Sequence, residues 1–165
     1  IYALTGHLCM STMHANNSYH ALSRIINFFP HDARTALLSD LAISLKAIIS
    51  QRLVRAIDGK LLPAVEILMN TKHIAELIKE GEIDAIKEAM ESSVSPGSQT
   101  FEQALYKMYK AGQITRDEAM VNSDSPTNLA ALIDYTGMRS DQPAAPAAPP
   151  RAADDFPIKI DILDK

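Results

Sequence analysis

An Asp-Gly pair at residues 58–59 stands between two apolar, β-prone runs, residues 51–57 and 60–68, and nothing else in the 165-residue sequence restricts the fold as strongly. A pair of this kind predicts a tight hairpin turn in which both central residues take positive φ. It ties two antiparallel strands together and, because side chains alternate across a strand, it decides which residues share a face. Pro63, without an amide hydrogen, predicts an edge position or a bulge in the second strand.

Helices are expected on both sides of this hairpin. Ala21, Leu22, Ile25, Ile26 and Phe29 recur at helical spacing, with Asn17 or Ser18 available as a cap and Pro30 as a stop. A longer helix is expected from Asp32, with Leu37, Leu41, Leu45 and Ile48 on one stripe and Leu38, Ala42 and Ile49 beside it. After Met69 the chain breaks into short helices. Residues 71–80 carry Ile74, Leu77 and Ile78 on one face and end at Gly81, and residues 83–91 carry Ile83, Ile86 and Met90. A loop follows through Pro96-Gly97. Thr100 with Gln103, and Thr115 with Glu118, have the spacing of capping boxes, and Ser125-Pro126 has the order of a helix start. Upstream of all this, Leu-Cys-Met-Ser-Thr-Met at residues 8–13 is read as a buried strand of a mixed or parallel sheet. Residues 140–155 are Pro and Ala with little else, a composition that buries no core and predicts disorder. Residues 156–163 alternate as a strand would that adds to a sheet edge, in this chain or in a partner.

Composition excludes several classes. Cys9 is the single cysteine, so no internal disulfide forms and a stapled secreted scaffold is excluded. The most apolar stretch, residues 37–49, is interrupted by Asp40 and Lys46 and falls short of the roughly 20 residues that a bilayer helix needs. With a formal charge of −4, no Trp and no basic run interleaved with aromatics, nucleic acid is not an expected partner. The chain opens on Ile1 with neither an initiator Met nor a signal-peptide pattern, and is expected to be a section of a longer protein.

Residues able to do chemistry gather near the start: His7, Cys9 and His14. His-x-Cys-x4-His supplies at most three ligands, without a second pair at standard zinc spacing, and no metal site is expected. Cys9, inside the expected apolar strand, is read as a small hydrophobe. His14 falls just past that strand's end, where ligands gather in α/β sheets.

Residues 5–17, TGHLCMSTMHANN, resemble the histidine box of the type IV pilus retraction ATPases, the PilT/PilU family. The resemblance continues through SYHALSRIINFFP at 18–30, LKAIISQRLV at 45–54, EILMNT at 66–71 and TFEQALYKMYKAGQIT at 100–115, and covers about residues 3–134. It implies an α/β fold: the carboxy-terminal part of a RecA-like ATPase core over residues 1–70, a helical subdomain over 71–138 and a flexible tail over 139–165. It also implies a hexameric cytoplasmic motor at the inner face of the bacterial inner membrane, coupling hydrolysis of ATP with Mg²⁺ to pilus withdrawal. The implied partners are further copies or a PilT-like retraction ATPase in a ring, and the pilus platform protein in the membrane. Carried over to this numbering, Thr12, His14 and Asn16 are the nucleotide-facing residues, His14 sensing the γ-phosphate. The segment His-Ile-Ala-Glu-Leu-Ile-Lys-Glu at 73–80 resembles a family surface segment, keeping Ile74, Leu77, Ile78 and Glu80 but carrying Ala75 and Lys79 where the family has arginines.

Two departures qualify the picture. The family's glycine-rich G-x-x-x-x-G-K-[ST] loop, its acidic residues and its Walker B segment do not occur in this sequence, so the chain alone is expected neither to bind ATP nor to hydrolyse it. Leu4 stands where the family usually has Glu. The alternatives are a related type II secretion or pilus assembly ATPase and a non-catalytic helical interaction module.

Overall fold

The computed structural model describes residues 2–93 and 95–137. A short 3-10 turn at Tyr2–Thr5 is followed by α1 (Ser18–Asn27), α2 (Arg34–Ser44), β1 (Ala47–Arg55), β2 (Leu61–Met69), α3 (Lys72–Glu80), α4 (Ile86–Glu91), α5 (Phe101–Lys110), α6 (Arg116–Val121) and α7 (Pro126–Gly137). The class is α/β, as expected, with one two-stranded antiparallel sheet among the described residues.

The hairpin forms where the Asp-Gly pair places it, in register from Ala47 opposite Met69 to Arg55 opposite Leu61. Its turn differs from the expectation. The Ala56 N–H donates to the Lys60 carbonyl at 2.8 Å and the Gly59 N–H to the Ala56 carbonyl at 2.9 Å, so three residues make the loop. Within the turn only Gly59 has positive φ, at 84°. Asp58 keeps ordinary backbone angles because its carboxylate accepts the Lys60 N–H at 3.1 Å, two residues on. Pro63 lies in continuous pairing without a bulge, opposite Leu53. Ile67 exchanges N–H···O bonds of 2.8 and 2.9 Å with Gln99 on the far side from β1. Backbone direction repeats every second residue, so Pro63 points the same way and its missing donor costs the ladder nothing.

The apolar run at 37–49 is not one helix. Leu45 turns extended, with ψ 137°, and ends α2, so Ile48 and Ile49 belong to β1 rather than to the helical stripe. The cause sits at residue 70: Asn70 Nδ2 donates to the Ala42 and Leu45 carbonyls at 3.0 and 2.9 Å, satisfying acceptors that the helix end leaves without partners. Other stops follow the sequence signals. Thr71 caps α3 by accepting the Ile74 N–H, and Gly81 closes it at φ 80°. Thr100 and Gln103 form the full capping box of α5. Thr115 makes only half of one. Its hydroxyl accepts the Glu118 N–H, but the Glu118 carboxylate reaches Arg55 N at 2.8 Å and Asn122 Nδ2 at 3.0 Å, tying α6 to β1 instead. The expected helix at 83–91 is split into a 3-10 turn, Ile83–Ala85, and α4.

Two apolar cores lie against the inner face of the hairpin. Leu22, Ala42, Leu68, Ile74, Ile78, Ile86 and Met90 fill the first, and Val54, Ala64, Phe101, Leu105, Ile114, Ala119 and Leu129 fill the second. On the reverse face Ile49, Leu53 and Leu61 are exposed.

Residues 8–13 correct the expectation of a buried strand. They carry no regular structure, and Leu8 and Met10 are 88% and 90% exposed. A strand needs a neighbour for its amides, and among the described residues β1 and β2 pair with each other. Cys9 is exposed in consequence and not a core thiol. The expected disordered tail and terminal strand lie outside the described residues.

Candidate functional site: a clamped loop before α1

The segment leading into α1 has outward-facing side chains and two backbone carbonyls held by arginines. Thr12, His14 and Asn16 are all exposed. The His14 carbonyl accepts a bond from Arg24 Nη1 on α1, and the Asn16 carbonyl accepts Arg52 Nη2 at 3.1 Å. Asn17 then turns inward, 1% exposed, and its side-chain oxygen accepts the His20 N–H at 3.0 Å as the cap of α1.

Arg52 is the centre of this arrangement. From an inward position on β1 its guanidinium donates to the Asn122 carbonyl at 2.7 Å and to Asp124 Oδ1 at 2.5 Å, and stacks 4.0 Å over the Phe101 ring. The second oxygen of Asp124 accepts Asn17 Nδ2 at 3.0 Å. The planar fork of an arginine suits this task, since one group meets three acceptors and a ring at once. The loop before α1, β1, the start of α5 and the α6–α7 connection thus converge on one ion pair.

Two further carboxylates are buried beside the clamp, each at the start of a helix. Glu66, 4% exposed on β2, accepts the Ser18 N–H at 2.7 Å. Burial pushes its carboxyl above the usual range, and the bond from Ser18 only partly offsets that. Glu102, 3% exposed, accepts the Ser125 N–H at 2.7 Å and the Ser123 hydroxyl at 3.2 Å just before α7. Each carboxyl group meets the amides at the start of its helix, and in its ionised form it also meets the positive dipole end.

The other sequence candidates fall elsewhere. His7 Nδ1 lies 2.9 Å from the Thr5 hydroxyl, and the ring meets Tyr2 edge-on. Leu4 is exposed in the first turn. Ile74 and Ile78, expected on an interaction surface, are buried in the chain's own first core, with Leu77 packed at its margin; only Glu80 of that set stands in solvent. Packing of α3 along α2, and at its end against α4, is the reason: three apolar residues at this spacing on a short helix face the core. Arg52, Asp124, Glu66 and Glu102 escaped the sequence reading. A signal existed for two of them. Once the hairpin register is set, Arg52 and Glu66 fall on the inward face beside Val54, Ala64 and Leu68, where an ionisable side chain requires a partner.

A family model described as "Type II/IV secretion system protein" matches residues 2–80. The type IV pilus ATPase PilU of Pseudomonas aeruginosa is 47% identical over 133 residues, 80% of this chain and 35% of its own length. The chain belongs to the PilT/PilU family of type IV pilus ATPases. The type IV pilus retraction ATPase PilT of the same organism is 32% identical over 127 residues, 77% of this chain and 37% of PilT. A crystal structure of the pilus retraction motor PilT with bound ADP matches with a TM-score of 0.63 at 34% identity, covering 72% of this chain and 33% of that one. The α/β fold is therefore that of a section of the RecA-like PilT ATPase, and the chain spans about a third of the length of the PilT/PilU relatives it matches. Among the described residues no helix is long and apolar enough to cross a membrane.

Proposed function

We propose that this chain is the carboxy-terminal section of a PilU-like motor that retracts type IV pili, working as a hexamer or in a ring with a PilT-like partner. The motor stands in the cytoplasm, at the inner face of the bacterial inner membrane, against the pilus platform protein. In this reading residues 1–70 complete the nucleotide core and residues 71–138 form the helical section that packs on the neighbouring subunit. Both apolar cores are shared across residue 70, so the division is one of role and not of folding.

The observation that carries the reading is the loop at 12–16, in a chain 47% identical to PilU: its carbonyls at His14 and Asn16 are tied down while its side chains face outward. The sequence has no phosphate-cradling glycine loop, and among the described residues no cluster of three His, Cys, Asp or Glu gathers to hold a cation. ATP and Mg²⁺ would supply the phosphoryl chemistry within the intact motor. Thr12, His14 and Asn16 would contribute donors at the phosphate end, His14 through one imidazole N–H. A donor on a fixed backbone needs little reorganisation when charge develops near it, and this is where such donors act most strongly.

The test uses the intact motor. Losing one preorganised donor costs about 2.7–4 kcal/mol, so His14→Ala should lower turnover roughly a hundred- to thousandfold. ATP affinity should fall far less, and His14→Gln, which still donates, should recover part of the loss. Near-normal turnover of His14→Ala in an intact assembly would refute the assignment.

A further inference from the structure

We propose that Arg52 and Asp124 are positioning residues that hold the 12–16 loop in its working geometry and couple it to the α6–α7 connection. The proposal rests on the reading above, that this loop faces phosphate. It follows from the placement of four segments distant in sequence around one ion pair. Arg52 Nη2 bonds both the Asn16 carbonyl at 3.1 Å and Asp124 Oδ1 at 2.5 Å, and Asp124 Oδ2 accepts Asn17 Nδ2 at 3.0 Å. The same guanidinium holds the Asn122 carbonyl at 2.7 Å. The side chains of the pair are 20% and 16% exposed, so water replaces these bonds poorly once they break.

The geometry makes the coupling two-way. A displacement of residues 122–124, with α7 attached behind them, is felt at Asn16 and Asn17 through Arg52 and Asp124. A displacement of the His14 segment is felt at the α6–α7 connection through the same atoms. The bonds of Arg52 and Asp124 go to Asn16, Asn17 and Asn122 and to each other rather than to the side chains of Thr12 and His14, so the pair acts by position and not as a participant in the chemistry. Linkage requires the effect to be equal in both directions.

Two conservative variants keep the fold testable. Asp124→Asn keeps the side-chain shape but replaces one acceptor oxygen with an amide, so either Arg52 or Asn17 loses its partner. Arg52→Lys keeps the charge but not the fork that spans Asn16, Asn122 and Asp124. In the intact motor, hydrogen exchange over residues 13–20 should speed up about tenfold in either variant, with α3 unchanged. Turnover should fall by about tenfold while the KM for ATP moves less than about threefold. Asn17→Ala should in turn speed exchange over residues 120–126. Unchanged exchange over 13–20 would overturn the coupling, and a rise that includes α3 would reduce it to general destabilisation. Faster exchange with normal turnover would overturn the positioning role. His14→Ala in the same assay then separates the causes: impaired, it leaves the loop reading standing and only the clamp fails; normal, the loop reading itself fails.

Discussion

Ile78→Ala measures directly whether α3 presents an apolar surface or closes a core. Ile78 is fully buried in the first core, which it shares with Leu22 of α1, Ala42 of α2, Leu68 of β2 and Ile86 of α4. Truncation removes three carbon groups at about 0.8 kcal/mol each, roughly 2.4 kcal/mol of transfer free energy. The surrounding core draws residues from several other elements, α2 among them, so it collapses only partly and a cavity contribution adds to the loss. The expected cost is about 3–4 kcal/mol, inside the 2–5 kcal/mol span of such substitutions. Ile78→Val, which removes one methylene, should cost about 0.5–1.5 kcal/mol. Glu80→Ala, at an exposed position of the same helix, should stay within about 0.5 kcal/mol. Urea unfolding followed by circular dichroism reads all three, and the slope should be unchanged while the midpoint of Ile78→Ala drops by about 1–4 M. A loss under about 1 kcal/mol for Ile78→Ala, similar to that of Glu80→Ala, would refute the packing argument and return α3 to the role of an exposed docking face.

Two other outcomes follow from single groups. Burial holds a proton on folded Glu66 that the unfolded chain, near 4.5, releases, so this contribution is present in full below about pH 4.5 and is lost as pH rises through the raised folded value. Glu66→Gln still accepts the Ser18 N–H and cannot ionise; its stability relative to the parent should rise from pH 4.5 upward in thermal melts, and a difference independent of pH would contradict the assignment. Gly59→Ala places a side chain at φ 84° with no heavy atom within 4 Å of the new Cβ, so the cost is conformational alone, about 1–2 kcal/mol in denaturant unfolding. A neutral result would mean that the turn adapts.

What the sequence made legible depended on how local the cause was. The hairpin at Asp58-Gly59, the stop at Gly81 and the box at Thr100 and Gln103 are decided by residues within a turn of one another, and each stands where the chain suggests. The misreadings have causes far away. Whether Ile48 and Ile49 continue a helix depends on Asn70, more than twenty residues downstream, which holds the last carbonyls of α2. Whether Glu118 completes a capping box depends on Arg55, whose amide competes for the same carboxylate. Residues 8–13 read as a strand because they are apolar, but apolarity supplies no hydrogen-bond neighbour. For the candidate site, the resemblance directed attention to Thr12, His14 and Asn16, whereas the clamp behind them was invisible. Asp124 looks like an ordinary loop acid until the fold brings Arg52 and Asn17 to it across 72 and 107 residues of sequence.

The hairpin is one floor laid under two rooms. Ala64 and Leu68, four residues and about 13 Å apart along β2, line different cores. Neither core has a second sheet to lean on among the described residues. If the helices of one side loosen, the strands they held begin to fray, and the other side loses the surface it was built against. The two halves should therefore melt as one cooperative unit, although their apolar interiors are separate. A change in packing around Ile78 has a route, through the pleat of two strands, to the ring of Phe101 and the arginine stacked upon it.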